Sequence, residues 1–259
     1  FSQEQLTKLA LFVKEAVTSC YISMIASIGE LQGKRVAVFG LSGNPPTGSK
    51  GHAGIVNFLV QTGLFDEVWI LPVFQHMYSM KNSMVSYEHR IEMCKMSMED
   101  LSREGCKVRV MTIERDAAEH YEQTESKEYR VGTVDVLDFI LSHCPEIKPH
   151  LVLGTDTFKD LLAGKWKQSD RILSMVTLHV VSRQGVETGP STAAPPPSAH
   201  EVHHHVPWLT EVSSSQVRAI YSASSEHPEN NALLKDLLDP RVLDYIKVHH
   251  LYTPTAASL

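Results

Sequence analysis

The sequence predicts an α/β fold: a doubly wound parallel sheet with helices on both faces and a C-terminal helical segment. Three observations carry this. Short, continuous apolar runs recur along the chain, as in strands buried on both faces. Stretches with apolar residues at helical spacing separate them. The last part of the chain holds helical patterns only.

The elements follow in order. Residues 2–28 repeat Leu6, Leu9, Phe12, Val13, Ala16 and Val17 at helical spacing and read as an added helix, punctuated by Gly29 and Gly33. "RVAVFG" (35–40) is a strand. "GHAGIVNFLVQTG" (51–63) is a helix with Gly63 placed to end it. "EVWILPV" (67–73) is a strand, and "SYEHRIEMCKMSMEDLS" (86–102) a helix with Ser86 as a cap. "KVRVMTI" (107–113) reads as a strand, "GTVDVLDFILSH" (132–143) as a helix and "PHLVLGTD" (149–156) as a strand. A short helix runs through "FKDLLAG" (158–164), then a strand through "VTLHVVSR" (176–183). Residues 184–201 are a proline- and serine-rich insertion, expected to be flexible. "SSSQVRAIYS", "NNALLKDLL" and "PRVLDYIKVHH" close the chain as helices, with Pro240 suited to a first helical turn. Strands alternating with helices in this way form a Rossmann-like sheet. The expected organisation is an N-terminal helical extension (1–33), one catalytic-size domain (34–252) and a short tail (253–259).

Composition bounds the function. The 259 residues suffice for a sizeable core. Lys plus Arg is 24 against 30 Asp plus Glu, a net charge of -6, whereas a general nucleic-acid binder is more often basic. Cys20, Cys94, Cys106 and Cys144 show no metal-ligand spacing and read as reduced thiols of an intracellular protein, cytoplasmic or nuclear. No apolar run is long enough to span a membrane.

The most informative stretch is "VFGLSGNPPTGSKGH" (38–52). It lacks a GxGxxG fingerprint. Gly43 and Gly48 have Walker spacing, but Ser49 and Lys50 stand in reverse order. Pro45 and Pro46 lack the N–H groups that a phosphate loop aims inward. The remaining reading is a loop that delivers His52 onto a helix N-terminus, where dipole and free N–H groups favour an anion. Distal motifs agree. "LGTDTF" places Asp156 at a strand end, and "GKWK" sets Trp166 between two lysines as a stacking surface. "VVSR" ends a strand on Arg183, and "EVSSSQVR" puts three hydroxyls and Arg218 at a helix start, a cradle for phosphates.

With these motifs in order over residues 34–252, the sequence resembles the nicotinamide/nicotinate mononucleotide adenylyltransferases of the HxGH nucleotidylyltransferase superfamily. "LPVFQHMYSMKNSMVSYEHRIEM", "GTVDVL" and the tail "LDPRVLDYIKVHHLY" also match. One departure stands out: two extra residues precede His52, so either Ser49 or Thr47 takes the first position of the loop motif. The resemblance implies joining ATP to nicotinamide or nicotinate mononucleotide, with Mg²⁺ held mainly by ATP phosphates and water and no protein metal-ligand cluster. It implies His52, Arg218 and Lys81 as catalytic residues. It places Gly40, Ser42, Gly51, Gly154, Asp156, Ser213 and Ser214 on ATP, and Trp166, Thr133 and Arg183 on the mononucleotide. No nucleic-acid or membrane partner is expected; a homo-oligomer is. Two other classes share these residues: a nucleotide-binding sensor that has lost turnover, and another adenylyl- or cytidylyltransferase.

Blander readings complete the inventory. Arg90 reads as an ion-pair former, and the methionines at 77, 80, 84, 93, 96 and 98 as core filler. His203, His204 and His205 sit on a strand whose neighbours alternate faces, so they do not chelate one ion.

Overall fold

The computed structural model describes residues 31–75, 84–183, 200–224, 227 and 229–253. The expected N-terminal helix, Lys81, residues 184–199 of the insertion and residues 254–259 of the tail lie outside these.

Among the described residues, six strands form one wholly parallel sheet: β1 (Arg35–Leu41), β2 (Glu67–Pro72), β3 (Lys107–Val110), β4 (Lys148–Gly154), β5 (Thr177–Ser182) and β6 (His200–His205). Their spatial order is β3-β2-β1-β4-β5-β6. The order reverses between β1 and β4, and the carboxyl ends of those strands open a crevice there. The doubly wound expectation is met.

The helices are α1 (His52–Gln61), α2 (Tyr87–Met98), α3 (Ile113–Thr124), α4 (Thr133–His143), α5 (Thr155–Leu162) and α6 (Ser169–Met175), then α7 (Ser214–Ser222), α8 (Asn230–Leu237) and α9 (Pro240–Val248). Side-chain alternation along each strand divides the core between the two faces. Val36, Val38, Leu151 and Leu153 pack towards α4 and α5, with Val136, Leu137 and Phe158. Ala37, Phe39, Val68 and Ile70 pack towards α1 and α2, with Val56, Leu59 and Ile91. A third cluster joins α7, α8 and α9 to Met93 of α2, through Val217, Leu234, Val242 and Ile246. This ties the C-terminal segment to the body.

Local signals act as expected at several ends. Ser86 caps α2 by accepting the His89 N–H, and Asp239 caps α9 ahead of Pro240 at its first turn. Gly63, at φ +65°, follows the end of α1. Met93 and Met98 are core; Cys94, Cys106 and Cys144 are free and buried.

Other expectations need correction. β3 ends at Val110, and Ile113 instead opens α3. Ile113 is 1% exposed, and a short apolar run does not distinguish a buried strand from a buried helix start. α3 buries only Ile113 and Ala117, so its stripe was too sparse to read. Helix α5 begins at Thr155, so Asp156 lies in a first helical turn rather than at a strand end. His200 and Glu201, assigned to the insertion, already belong to β6.

Candidate active site

The loop after β1 builds the centre of the site. Thr47 is fully buried beneath it. Its Oγ1 accepts the His52 backbone N–H at 2.9 Å, and its own N–H donates to His52 Nδ1 at 3.0 Å. Thr47 Oγ1 lies 2.8 Å from the same Nδ1. A ring nitrogen that receives an N–H is an acceptor, so the neutral imidazole carries its proton on Nε2. Burial, and secondarily the Arg183 cation, lowers the His52 pKa to about 4. His52 therefore meets the cleft as a neutral donor.

Thr47 answers the question of the loop motif: Thr47, not Ser49, engages His52. The longer loop is held from outside. Gly48 N–H donates to Leu237 O at 2.7 Å, and Lys50 pairs with Asp236 at 2.6 Å. At Gly51, expected to let backbone pass close to ATP, the Cβ position faces the protein. A Cβ there would lie 2.1 Å from Thr47 Oγ1 and 2.9 Å from Val212. A side chain at 51 would break the Thr47–His52 arrangement.

Three connected cavities line the carboxyl ends of the strands. The central one, 180 Å³, is bordered by His52, Gly40, Ser42, Gly154, Arg183 and Ser214. It shares Gly40, Ser42 and Thr157 with an inner cavity of 380 Å³ that holds Trp166, Thr133, Lys167 and Glu114. It shares Gly154, Thr157 and Arg183 with an outer cavity of 300 Å³ that holds Asp156, Thr155 and Glu211. A Cβ on Gly40 or Gly154 would meet nothing within 4 Å, so both glycines widen the cleft.

The structure thus unites His52, Gly40, Ser42, Gly154, Asp156, Ser214, Trp166 and Thr133. Arg183 was grouped with Trp166, but it borders the central and outer cavities and not the inner one. The reason is topological: Arg183 follows β5, on the far side of β4 from the inner cavity. Ser213 caps α7 by accepting the Gln216 N–H at 3.1 Å. Ser214 Oγ donates to Pro45 O at 2.8 Å, and Arg218 to Asn44 O at 2.6 Å. The start of α7 therefore grips the same loop that carries His52. Tyr252, from the tail, donates to Asn44 Oδ1 at 2.8 Å.

Lys167, one of the two lysines read as flanking Trp166, borders the inner cavity, whereas Asp135, Glu114 and Thr155 escaped the sequence reading. Lys167 pairs with the buried Asp135 at 2.9 Å, and Asp135 also accepts from Tyr129 and the Gly132 N–H. Glu114, at the start of α3, has its pKa raised to about 7 by burial, against the opposing pull of the Phe74 backbone bond and Arg90. Thr155 Oγ1 is buried at the outer cavity with no hydrogen-bond partner. No turn signal announces these; only helix α3, once recognised, would have placed Glu114 at the strand ends. Arg90, read as an ion-pair former, instead donates to carbonyl oxygens of Val85, Ser42 and Val73.

Comparison with known proteins fits this geometry. Residues 44–220 match the cytidylyltransferase-like family. The chain belongs to that family, in its mononucleotide adenylyltransferase group. A relative from Myxococcus xanthus, named "Probable nicotinate-nucleotide adenylyltransferase", is 30% identical over 218 residues, covering 84% of this chain and 94% of its own. One of the same name from Anaeromyxobacter dehalogenans is 27% identical, covering 85% and 97%. Among solved structures, the Plasmodium falciparum nicotinic acid mononucleotide adenylyltransferase complexed with NaAD is 18% identical. It superposes at a TM-score of 0.63, covering 85% of this chain and 97% of that one. That likeness shows the shared fold. Among the described residues no helix is long and apolar enough to cross a membrane.

Proposed function

We propose that this enzyme transfers the adenylyl group of ATP to a pyridine mononucleotide, giving the dinucleotide and pyrophosphate. The observation that carries the reading is His52. Its Nδ1 is committed to Thr47, which leaves Nε2–H for a ligand in the central cavity, between a lobe with a stacking surface and a lobe with an unpaired hydroxyl.

The reaction needs no covalent enzyme intermediate. A phosphate oxygen of the mononucleotide attacks the α-phosphorus of ATP in line; that P–O bond forms as the bond to pyrophosphate breaks. Catalysis reduces to positioning two anions and stabilising charge at the α-phosphate. In this reading Trp166 stacks on the pyridine ring and Thr133 orients it. Gly154, Asp156 and the unpaired Thr155 hydroxyl face the adenosine. His52 donates to the α-phosphate through Nε2. Arg183 serves the phosphates rather than the ring. Ser214, Ser213, Arg218 and Lys81 serve the β- and γ-phosphates.

Magnesium fits this scheme as a passenger of ATP. The groups at the central cavity are imidazole, guanidinium and hydroxyl, which suit phosphate oxygens rather than a divalent cation. Among the described residues no three His, Cys, Asp or Glu side chains come together to hold a metal. Bound to phosphate oxygens and water, Mg²⁺ would neutralise charge on the leaving pyrophosphate.

Nicotinate is the preferred ring substituent in this reading. The N-terminus of α4 lies at the inner cavity and favours a carboxylate, with Lys167, itself paired with Asp135, beside it. The relatives' names agree. The deciding experiment incubates the protein with ATP, Mg²⁺ and either mononucleotide and separates the products by chromatography. Dinucleotide formed faster with the acid than with the amide is the expected result. Binding of both substrates without dinucleotide would establish the sensor instead.

A further inference from the structure

The loop that carries His52 has a second face. Behind it lies a separate cavity of about 440 Å³, lined by Gly48, Ser49 and Gly54, by Asn57 and Ser97, and by the α8–α9 junction from Lys235 to Pro240. It shares no lining residue with the cleft described above.

Two independent features mark it as a binding site. The first is Ser97. Its side chain is buried, the residue being 5% exposed, and its Oγ has no hydrogen-bond partner. A buried hydroxyl left unpaired is costly and calls for an explanation. The second is the distribution of charge. Asp236 is engaged by Lys50, and Asp239 by Arg241 at 2.9 Å. Among the described residues Lys235 has no carboxylate partner. Asn57 Oδ1 accepts from Gln61 and Arg103, which leaves its amide NH₂ as the uncommitted half. The groups left over, an ammonium, an amide NH₂ and two serine hydroxyls, can all donate hydrogen bonds. Such a set suits an oxyanion.

We propose that this cavity binds a small polar metabolite through one oxyanion group, phosphate or carboxylate, and that its occupancy stiffens the 47–52 loop. The lining residues Gly48 and Ser49 lie in the stretch that makes this loop longer than the family pattern. That stretch is already fastened across the cavity, by Gly48 N–H to Leu237 O and by Lys50 to Asp236. Contact is tight on the other side too: a Cβ on Gly54 would lie 2.0 Å from Ser49 O. A ligand held between Ser49, Ser97 and Lys235 therefore braces the segment from which Thr47 orients His52. The effect on catalysis rests on the adenylyl-transfer reading; the binding site does not.

The test uses the whole ¹⁵N-labelled chain, titrated with inorganic phosphate in one arm and malonate in the other. Saturable amide shifts are expected at Gly48, Ser49, Gly54 and Ser97. Lys235→Ala should weaken binding at least fivefold and Ser97→Ala at least twofold; Lys235 is exposed, and Ser97→Ala removes only an unpaired hydroxyl. Saturation by phosphate alone, by malonate alone or by both identifies the group recognised. Hydrogen exchange at the Thr47 and His52 amides should slow severalfold on saturation. Shifts confined to Gly40, Thr133 and Gly154, or binding indifferent to Lys235→Ala, would overturn the site. Unchanged exchange would overturn the bracing. Saturable shifts at Gly54 and Ser97 in a protein that makes no dinucleotide would keep the site and remove only the reading of the main cleft.

Discussion

At the residue scale, the proposed chemistry rests on one tautomer. Thr47 contributes an N–H and a hydroxyl to His52 Nδ1 and takes the His52 N–H in return. The ring is thereby turned with Nε2–H free to donate. His52→Ala should lower kcat about 10²–10³-fold, the scale of losing one oxyanion donor, with the circular-dichroism spectrum unchanged. Thr47→Val keeps the shape and removes the hydroxyl. It should lower kcat about tenfold or more with little change in KM, as loss of a partner that orients a functional imidazole does, and Thr47→Ser should restore it. Steady-state kinetics of the three variants check both expectations. His52 could be singled out from its place after a strand and a glycine-rich loop, together with the distal motifs. The partnership with Thr47 could not, because two extra residues hide the spacing that would have announced it.

Elements are held by polar groups as well as by apolar packing. Arg90 of α2, 2% exposed, fastens the loops after β1 and β2 by donating to Ser42 O and Val73 O at 2.9 and 2.6 Å. Arg90→Met leaves those carbonyls without their donor. It should cost at least ~2 kcal/mol, read as a lower midpoint in urea. On β4, β5 and β6 three imidazoles form a chain: His150 Nδ1 to His179 Nε2 at 3.0 Å, and His179 Nδ1 to His204 Nε2 at 2.9 Å. Burial lowers all three pKa values, that of His179 to about 4. A histidine with a depressed folded pKa binds protons more readily when unfolded. Its share of stability is complete above the unfolded value of about 6.5. That share is lost as pH falls towards 4. The melting temperature should fall across this window, and His179→Leu should flatten the fall while lowering stability at neutral pH. Sequence periodicity revealed these strands but not the chain of rings, since residues 29 and 25 apart meet only through strand order.

For the whole molecule, the reversal of strand order between β1 and β4 decides where everything gathers. Residues from β1, α1, β4, α5 and α7, with Arg183 just after β5, border one central cavity only because the strands end on the same side. In the proposed function the same arrangement separates the substrates, because Trp166 lies in the inner cavity and Asp156 in the outer. Trp166→Ala should therefore raise KM for the mononucleotide about tenfold, within the range for loss of one stacking platform, and leave KM for ATP near its original value. Initial-rate measurements with each substrate varied in turn test this separation. The C-terminal segment completes the design. Arg218 and Tyr252 both bond Asn44, so the end of the chain sets the loop near its beginning.

By itself the sequence determined the fold class, most strands and helices, and several of the groups that border the cleft. Apolar periodicity and glycine placement are local properties, and the motifs are contiguous. Only the tertiary structure decided which cavity Arg183 borders, that the Cβ position of Gly51 faces Thr47, and that Glu114 borders the same cavity as Trp166. Those facts depend on strand order and on burial, which bring together side chains far apart in the chain and set their charge. No window of sequence contains either.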